Sequence, residues 1–289
     1  MKNILAPFNW RAELVNKEID AIGDDFLLLE NPIVTSAFGY PVKLDVVVAI
    51  ICIRGTINGS INLKQYYIKA PCLFIILSDQ ILQYENFSED FSGLFIVMSK
   101  RFTDDLFMNI QERFPLKHSV IDNPFTPLNY DELESMTGYY NMLKKAVRMK
   151  DNPHRMEIVK NLTRAFFYGS AYQYHKIPSA EIKSKNEILL EKFLSFVQTN
   201  YKEHRGLEFY ADKLFLTPKY LSKVIKETSG NSANEWIDNF VILEARALLK
   251  STNMTIQQIG DELNFPSQSF FGKYFKRHVG VSPKEYRKN

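Results

Sequence analysis

Two stretches of this chain carry lysine, glutamine and serine at helical spacing, on the side of each predicted helix that its apolar residues leave free. Over residues 217–228 we expect Leu221, Val224 and Ile225 to point inward, and the polar side consists of Lys219, Ser222, Lys223 and Lys226. Over residues 267–279 we expect Phe270, Phe271, Tyr274 and Phe275 to pack in the core, and the polar side consists of Gln268, Ser269, Gly272, Lys273, Lys276 and Arg277. A helix fits the DNA major groove, where glutamine pairs with adenine and lysine with guanine, while further lysines neutralise phosphates. The side-chain chemistry therefore predicts contact with duplex DNA.

The small residues on these two faces fit the same chemistry. Ser222 and Gly272 leave room for base edges that a long side chain would meet. The alternative is that both faces are ordinary solvated surfaces of helical hairpins, because a polar face is the rule on surface helices. One copy of the pattern does not separate the two interpretations, whereas two copies in register favour DNA.

The chain contains such a repeat in its last third. Residues 207–214 align with residues 256–263 at an offset of 49, which places Ala211 on Gly260. One residue is then inserted, and the offset becomes 50. The pairs that match at this offset are Thr217 with Ser267, Leu221 with Phe271, Lys223 with Lys273, Ile225 with Phe275, Lys226 with Lys276, Gly230 with Gly280 and Ser232 with Ser282.

Each copy has the local signals of two short helices joined by a turn. Thr217 and Ser267 are suited to cap the N-terminus of the second helix, because their hydroxyls accept hydrogen bonds from free backbone N–H groups. A small residue, Ala211 or Gly260, lets the two helices cross closely. A glycine ends the second helix in both copies, as the left-handed C-cap position favours. The pattern predicts two helix-turn-helix units.

The order of residues across this third of the chain is specific. Four groups carry it: Leu214, Thr217, Leu221, Ser222, Lys223, Ile225 and Lys226; Ala245, Arg246, Leu248 and Leu249; Ile259, Gly260, Leu263, Asn264, Phe265, Ser267, Ser269, Phe270, Phe271, Tyr274, Phe275 and Lys276; Gly280, Val281, Ser282, Pro283, Tyr286 and Arg287. With these residues, the segment from about 185 to 289 resembles the paired helix-turn-helix domain of the AraC/XylS family of bacterial transcription regulators.

The resemblance implies roles for the polar side chains. The base readers would be Lys219, Ser222 and Lys223 in the first recognition helix and Gln268, Ser269 and Lys273 in the second. Lys226, Lys276 and Arg277 resemble phosphate contacts. In this family a long helix, here residues 232–250, holds the two recognition helices, called the two readers below, in successive major-groove segments about 34 Å apart. Double-stranded DNA and RNA polymerase are the implied partners, and no cofactor or catalytic residue is implied.

Two positions depart from the family pattern, both at the entry to the second recognition helix. Asn264 stands where a glycine is usual, although asparagine also accepts a positive φ. Pro266 precedes the predicted Ser267 cap. Both departures lie in the turn that sets the entry angle of the second recognition helix.

In the N-terminal half the apolar residues are spaced differently from those of the helical third. Apolar runs over residues 44–53, 61–68, 73–77 and 93–98, separated by residues 55–59 and by Ala70-Pro71, are typical of antiparallel strands. From Lys100 onward the spacing becomes helical, with stretches around Phe102, over residues 131–150 and over residues 153–174. We predict an α+β chain: a β-rich domain with helices, then an all-α domain of two helix-turn-helix motifs joined by a long helix.

Three segments follow from this division. Residues 1–175 form the β-rich domain, residues 176–187 a polar linker and residues 188–289 the DNA-binding domain. The order of strands before helices is similar to the cupin-like effector domain that precedes the DNA-binding part in many such regulators. The two helical stretches over 131–150 and 153–174 are, by the same resemblance and by their amphipathicity, candidates for a homodimer interface. The alternative is that they pack on the strands.

Composition narrows the classes of protein. The chain has 289 residues, 45% hydrophobic residues and a net charge of +3, which are ordinary globular values. Its longest apolar run, residues 46–53, is too short to span a membrane. The N-terminus lacks a long apolar segment of the kind that directs secretion, so we expect the cytoplasm. Cys52 and Cys72 are 20 residues apart without a Cys-x-x-Cys motif, which favours reduced, packed thiols.

Three functional alternatives remain for the N-terminal half. A metal-dependent cupin enzyme is disfavoured, because metal sites need clustered ligands and the five histidines, His118, His154, His175, His204 and His278, are isolated. A small-molecule effector such as a sugar is the second, and its binding residues are unknown. Aromatic residues that could line a pocket for it are Phe8, Trp10, Phe26, Phe38, Tyr40, Tyr66, Tyr67 and Phe74. The third is control by a protein partner with no ligand.

Overall fold

The computed structural model describes residues 19–31, 40–107, 120, 123–176 and 184–288, with backbone only for residues 169–176. Ten strands are described, all before residue 128: β1 (Asp20–Ile22), β2 (Phe26–Glu30), β3 (Val42–Lys43), β4 (Val46–Arg54), β5 (Thr56–Ile61), β6 (Lys64–Lys69), β7 (Cys72–Ile76), β8 (Ile81–Phe87), β9 (Ser92–Ser99) and β10 (Phe125–Pro127). They form two antiparallel sheets. The larger has the order β1-β2-β9-β4-β7-β10, and the smaller has the order β3-β8-β5-β6.

The larger sheet is the middle layer of the β-rich region. Its central strand β4 is apolar almost throughout because both of its faces are covered. Ile50 and Cys52 pack toward the smaller sheet. Ala49 and Ile51 pack on the opposite side, against helices that follow the strands. A strand with period-two burial on one face only would have alternated with polar residues.

The helices that follow the strands confirm the predicted change from strand spacing to helical spacing after residue 100. They are α1 (Lys100–Phe107), α2 (Tyr130–Arg148) and α3 (Arg155–Lys176). Asn129 caps α2 in a reciprocal pair of hydrogen bonds with Glu132. Buried Tyr140 of α2 donates its hydroxyl hydrogen bond to the Leu29 carbonyl at 3.1 Å, which fixes the helix on β2. Of the two candidate dimer helices, α2 thus packs on the sheet and α3 packs mainly on α2, with Met142 and Met149 left exposed at α2 and its C-terminal cap.

Two predictions in the strand region are wrong. The run over residues 61–68 is not one strand, because β5 and β6 are joined inside it by a hairpin turn at Asn62 and Leu63, whose φ angles are 47° and 73°. Residues 55–59 are not all turn either. Only Gly55 is left-handed, and Gly59 lies within β5. A Cβ at Gly59 would come within 2.5 Å of the Gln83 carbonyl oxygen, so glycine there reflects close strand approach rather than a turn.

Seven further helices are described in the helical region, over residues 184–288. They are α4 (Lys185–Asn200), α5 (Leu207–Lys213), α6 (Pro218–Ser229), α7 (Ala233–Ser251), α8 (Ile256–Glu262), α9 (Gln268–Val279) and α10 (Pro283–Lys288). The five helices α5 to α9 agree with the segments predicted over residues 207–214, 217–228, 232–250, 256–263 and 267–279. α7 is the most buried of them, and its Ile237, Val241 and Ala245 are at the centre of the helical core. The predicted linker, residues 176–187, overlaps both neighbouring helices, since Lys176 is the last residue of α3 and residues 185–187 begin α4. Residues 177–183 between the two helices lie outside the described part.

Several smaller expectations can be compared directly. Cys52 and Cys72 are buried free thiols that lie opposite each other on β4 and β7. Within the described ranges, no helix has the length and apolar character that crossing a membrane requires. The same ranges contain no group of three or more histidine, cysteine, aspartate or glutamate side chains placed to hold a metal ion.

Candidate nucleic-acid interface

The first recognition helix, α6, is defined at both ends by local chemistry. The Thr217 hydroxyl accepts a hydrogen bond from the Tyr220 N–H at 3.3 Å, and Pro218 occupies the first helical position. The helix ends at Gly230, whose φ of 77° is left-handed. Its apolar residues Leu221, Val224 and Ile225 are buried, as predicted.

The second recognition helix, α9, repeats these features. The Ser267 hydroxyl accepts from the Phe270 N–H at 3.2 Å, and Gly280 ends the helix with a φ of 89°. Phe271 and Phe275 are buried on its inner side. The two predicted N-caps and both C-cap glycines are therefore confirmed. The two helices have the same length, a hydroxyl residue as N-cap and a left-handed glycine as C-cap.

The turns that lead into the two helices are also equivalent. Asn264 has a φ of 58°, so asparagine takes the left-handed conformation expected at this position. Its counterpart in the first copy is Phe215, with a φ of 57°. An aromatic residue rarely adopts this conformation, and Phe215 is 94% exposed. Pro266 does not disturb the Ser267 cap.

A small residue allows the close crossing of the paired helices, as the repeat predicted. Ala211 on α5 is fully buried. A Cβ placed on Gly260 of α8 would lie 3.4 Å from the Cβ of Phe271 on α9. Larger side chains at either position would push the recognition helix outward, so these two residues set the angle at which each reader projects.

The residues predicted to read DNA lie on the outer sides of α6 and α9. Eight of the nine are exposed, and Ser222 is half-buried; the exposed ones are Lys219, Lys223, Lys226, Gln268, Ser269, Lys273, Lys276 and Arg277. Gly272 has open space on its outer side, because a Cβ added there would meet no atom within 4 Å. Since the protein's own packing does not require glycine at this position, that space is open to a ligand.

Two of the lysines on α6 have acidic neighbours at distances near the upper limit for an ion pair. The Lys223 ammonium lies 3.9 Å from a Glu227 carboxylate oxygen, and both side chains are well exposed. Lys226 lies 3.8 Å from Glu235, whose pKa is lowered by hydrogen bonds from the Ser232 backbone and side chain. Such loose, solvated pairs contribute little to stability. Both ammonium groups therefore remain free to turn toward an incoming phosphate or base.

One residue of the second reader was assigned wrongly from the sequence. Phe270 was expected to pack in the core with Phe271, Tyr274 and Phe275, but it is 55% exposed. Its counterpart at an offset of 50, Tyr220, is 49% exposed. Both are the third residue of their helix, on the border between the buried and the polar sides. The repeat could have indicated this exposure, because in both copies an aromatic residue, Tyr220 or Phe270, directly precedes the buried residue, Leu221 or Phe271.

A polar cluster fixes α9 on the long helix α7. The Tyr274 hydroxyl donates to a carboxylate oxygen of Asp238 at 2.6 Å. Burial and the neighbouring Asp238 carboxylate both raise the pKa of Tyr274, so this hydrogen remains in place. Arg205 stacks over the Phe265 ring at 3.7 Å and donates to the Leu263 carbonyl. These contacts hold the second reader in one orientation.

The first reader is fixed on the same helix. Ser232 and Glu235 form a capping box at the start of α7. The indole N–H of Trp236 donates to the Ser229 hydroxyl at 2.9 Å, which joins the end of α6 to the start of α7. A single buried helix therefore positions both readers, in agreement with the prediction for residues 232–250.

A cavity opens between the two sheets of the β-rich region. It has about 210 Å³ of empty space, including its mouth. The residues that line it are Ile57, Gly59, Ser60, Ile61, Tyr66, Ile68, Phe74, Leu82 and Tyr84. Of the aromatic residues proposed from the sequence, Tyr66 and Phe74 contribute. Phe26 and Tyr67 do not, since Phe26 is buried on the other side of the larger sheet and Tyr67 is exposed. Phe8, Trp10 and Phe38 lie outside the described residues.

Comparison with known proteins gives matches that include the helical region. Residues 210–289 match a family described as "Helix-turn-helix domain". Regulatory protein PocR of Salmonella typhimurium is 28% identical over 150 residues, which cover 51% of this chain and 44% of that protein. The arabinose operon regulatory protein of Salmonella typhimurium is 32% identical over 84 residues, or 29% of this chain and 30% of that protein.

Among solved structures, one of ToxT from Vibrio cholerae matches over 91% of this chain and 98% of that chain. It has a TM-score of 0.43 and 17% sequence identity. The chain spans less than half the length of the two curated regulators above. The family match at residues 210–289 covers both recognition helices, α6 and α9.

Proposed function

We propose that this chain is a transcription regulator of the AraC/XylS type, to which its helical region is similar, and that it binds a specific DNA sequence by placing α6 and α9 in successive major-groove segments. The observation that carries the proposal is the duplication. Two helices with the same caps and the same buried side present their polar sides outward, and one buried helix fixes both. Grooves on one face of B-DNA recur about every 34 Å, which a rigid pair of readers can match.

The exposed side chains supply both kinds of contact that recognition requires. Lys219, Ser222 and Lys223 on α6 are positioned to read bases, as are Gln268, Ser269 and Lys273 on α9. Lys226, Lys276 and Arg277 are positioned to neutralise phosphates, which gives affinity without sequence preference. Open space at Gly272 allows close approach of a base edge.

The remaining parts of the proposal concern control. We propose that a small organic effector binds in the cavity between the sheets. Most of that space is open solvent at the mouth, and the enclosed part holds about one water molecule, so the two sheets would have to move apart to admit the effector. The lining of the cavity is apolar apart from the hydroxyls of Ser60, Tyr66 and Tyr84, which suits a compact ligand with one or two polar groups. A homodimer in the bacterial cytoplasm that contacts RNA polymerase, with no catalytic step, completes the proposal.

Control by a protein partner is the second candidate, favoured by the small size of the cavity. Thermal denaturation against a panel of sugars, fatty acids and other small organic compounds separates the two. A ligand that binds only the native state raises the melting temperature, by an amount that grows with its concentration. A rise with one compound class supports the effector. No rise across the panel supports the partner.

In vitro selection from random duplex DNA tests the DNA-binding proposal. The full chain at physiological salt is expected to enrich two short sequence blocks about one helical turn apart. Lys223→Ala should relax the preference in one block and Lys273→Ala in the other. Each loss should correspond to about 1–3 kcal/mol at one base pair.

The exposed Lys192 of α4 lies outside both readers and provides the matched control. Lys192→Ala should select the same two blocks as the native chain. If Lys223→Ala instead weakens binding to all sequences equally, Lys223 is a phosphate contact. If the native chain enriches no motif and binds DNA only through salt-dependent attraction, the proposal of sequence-specific recognition is wrong.

A further inference from the structure

The turn between α5 and α6 holds an aromatic residue in a conformation that costs free energy. Phe215 has a φ of 57°, in the left-handed region, where the Cβ lies too close to the following carbonyl oxygen. Six non-glycine residues in the described ranges have a positive φ, and four of them are asparagine or aspartate. The other two are Leu63, which packs against the helical core, and Phe215, which is 94% exposed. Burial therefore does not offset the strain at Phe215.

The backbone of this turn does not require an aromatic residue. The Phe215 N–H donates to the Asp212 carbonyl at 3.1 Å, and the Leu216 N–H donates to the Ala211 carbonyl at 2.9 Å. The second unit makes the same two hydrogen bonds, at 3.0 and 2.8 Å, with Asn264 in the place of Phe215. Asparagine adopts the left-handed conformation at a lower cost than phenylalanine does. Packing among the described residues does not explain the ring, which indicates a contact with another molecule.

The neighbours of Phe215 in the chain set the direction and the surroundings of its ring. Leu214 and Leu216, on either side of it, both pack against the helical core. The ring between them therefore points away from that core. Lys213 precedes the turn and Lys219 follows it, and both lysines are exposed. An apolar ring bordered by positive charge suits a partner that combines apolar groups with negative charge.

Duplex DNA presents apolar and negatively charged groups together at the edge of its major groove. In a helix-turn-helix unit, the N-terminal residues of the recognition helix contact base edges while the first helix crosses the phosphate backbone. The turn that joins α5 to α6 then lies where the backbone borders the groove, two residues before the Thr217 cap. Thymine is the base that presents a methyl group in this groove, and phenylalanine is among the side chains that contact it.

We propose that the Phe215 ring contacts the methyl group of a thymine at the edge of the major groove, and so adds a base preference beside the block that α6 reads. This contact rests on the proposed function, because it needs α6 in the groove. The second unit has the amide of Asn264 at the equivalent position, which offers no apolar surface to a methyl group. The selected sequence is therefore asymmetric, with the additional thymine beside the first block only.

Thermal melting of the full chain tests the strain at Phe215 without DNA. Phe215→Asn gives the first turn the residue of the second turn, and is expected to raise the melting temperature by about 2–4 °C. Tyr130→Asn is the matched control, because Tyr130 is an exposed aromatic residue of the β-rich region and its replacement relieves no left-handed strain. A melting temperature that is unchanged or lower in Phe215→Asn shows that the ring stabilises the fold, which overturns the proposal.

Uracil in place of thymine removes only the methyl group, and so tests the contact itself. The probe is a duplex selected by the native chain, with each thymine beside the block that Lys223→Ala relaxes replaced in turn. At one position, uracil is expected to weaken binding of the native chain about fourfold, as loss of one buried methyl group predicts. Phe215→Asn should bind the thymine duplex as weakly as the native chain binds the uracil duplex, and should not distinguish the two. Tyr130→Asn should respond to uracil as the native chain does.

Four results overturn the proposal. If Phe215→Asn still loses affinity about fourfold on the uracil duplex, another residue reads the methyl group. If it binds the thymine duplex as tightly as the native chain does, the ring does not contact DNA, and a protein partner explains it. If it binds more weakly but uracil does not affect the native chain, the ring packs on sugar and reads no base. If the native chain selects no sequence, the proposed function fails and the thymine contact fails with it.

Discussion

Replacing Glu244 with glutamine should be among the most destabilising conservative changes in the chain. Glutamine keeps the size of the side chain and an oxygen that can accept from Tyr201, but it removes the charge that faces Lys43 and Lys202 at 2.8 and 3.2 Å. Loss of one side of a buried ion pair costs about 3–5 kcal/mol. Both lysines are partly exposed and can regain water, so we expect the lower end, about 3 kcal/mol, which lowers the melting temperature by about 6–12 °C.

The pH dependence of this difference gives a second measurement. Burial raises the pKa of Glu244, but Lys43 and Lys202 outweigh it, so the pKa in the folded chain lies below the ordinary value of 4.5. A lowered folded pKa contributes stability above the unfolded pKa and loses it as the pH falls. The gap in melting temperature between the native chain and Glu244→Gln should therefore be constant at neutral pH and narrow below about pH 4.5.

Circular dichroism of the helical signal against temperature, from pH 7 to pH 3, measures both effects. Glu262→Gln is the control, since this half-exposed carboxylate pairs with Lys202 and should cost less than about 1 kcal/mol. A melting temperature for Glu244→Gln within about 1 °C of the native value would refute the reasoning. The desolvation cost of Glu244 would then cancel its attraction to the lysines.

Five further substitutions have defined expectations. Gly280→Ala should lower the free energy of unfolding by about 1–2 kcal/mol, because the φ of Gly280 is 89°, in the left-handed region. Gly138→Ala should raise it by about 0.5–1 kcal/mol, because Gly138 lies within α2 with open space around it. Thermal melting measures both changes. Phe271→Ala should lower the free energy of unfolding by about 3–5 kcal/mol and abolish DNA binding, because Phe271 is fully buried. Phe270→Ala should change it by less than about 0.5 kcal/mol, because Phe270 is exposed, and should alter only the DNA sequence that the chain selects. Arg205→Lys should cost about 0.5–2 kcal/mol, since lysine loses the planar stacking on Phe265; denaturant unfolding measures it.

Each of these changes has an outcome that contradicts it. Equal melting temperatures for the two glycine variants would mean that the left-handed C-cap is not needed to end α9. A large loss of stability in Phe270→Ala would place this ring in the core, as the sequence pattern predicts. An unchanged unfolding midpoint for Arg205→Lys would mean that charge alone, and not the stacked guanidinium, holds the turn before α9.

Much of the helical region was predictable because its signals are local. Thr217 and Ser267 cap helices through hydrogen bonds to N–H groups three residues later, and Gly230 and Gly280 end them through their own φ angles. The 3.6-residue period of buried side chains lies within each helix. Neither kind of signal depends on distant contacts, so helix positions and the sides of α6 and α9 were correct, apart from the aromatic at the border, Phe270.

The strands were harder to place because their signals depend on neighbours. Gly59 has the residue type of a turn, yet it allows the close approach of the Gln83 carbonyl on β8. Leu63 has the residue type of a strand interior, yet it occupies a left-handed turn that is held by packing on α7. In both cases the residue type is explained by an atom far away in the chain, and no pattern within the segment could indicate it.

The sequence by itself determined the two readers, because caps, periodicity and a repeat are all encoded within short stretches. Only the tertiary structure decided how the β-rich region meets them. Lys43 and Glu244, which pair at 2.8 Å, are 201 residues apart, and neither is distinguished from other surface-type charged residues in the sequence. Burial of Glu244 and the reach of Leu63 arise only when strands and α7 pack together, since a charge pair and a strained turn are stable there only through the contacts that surround them.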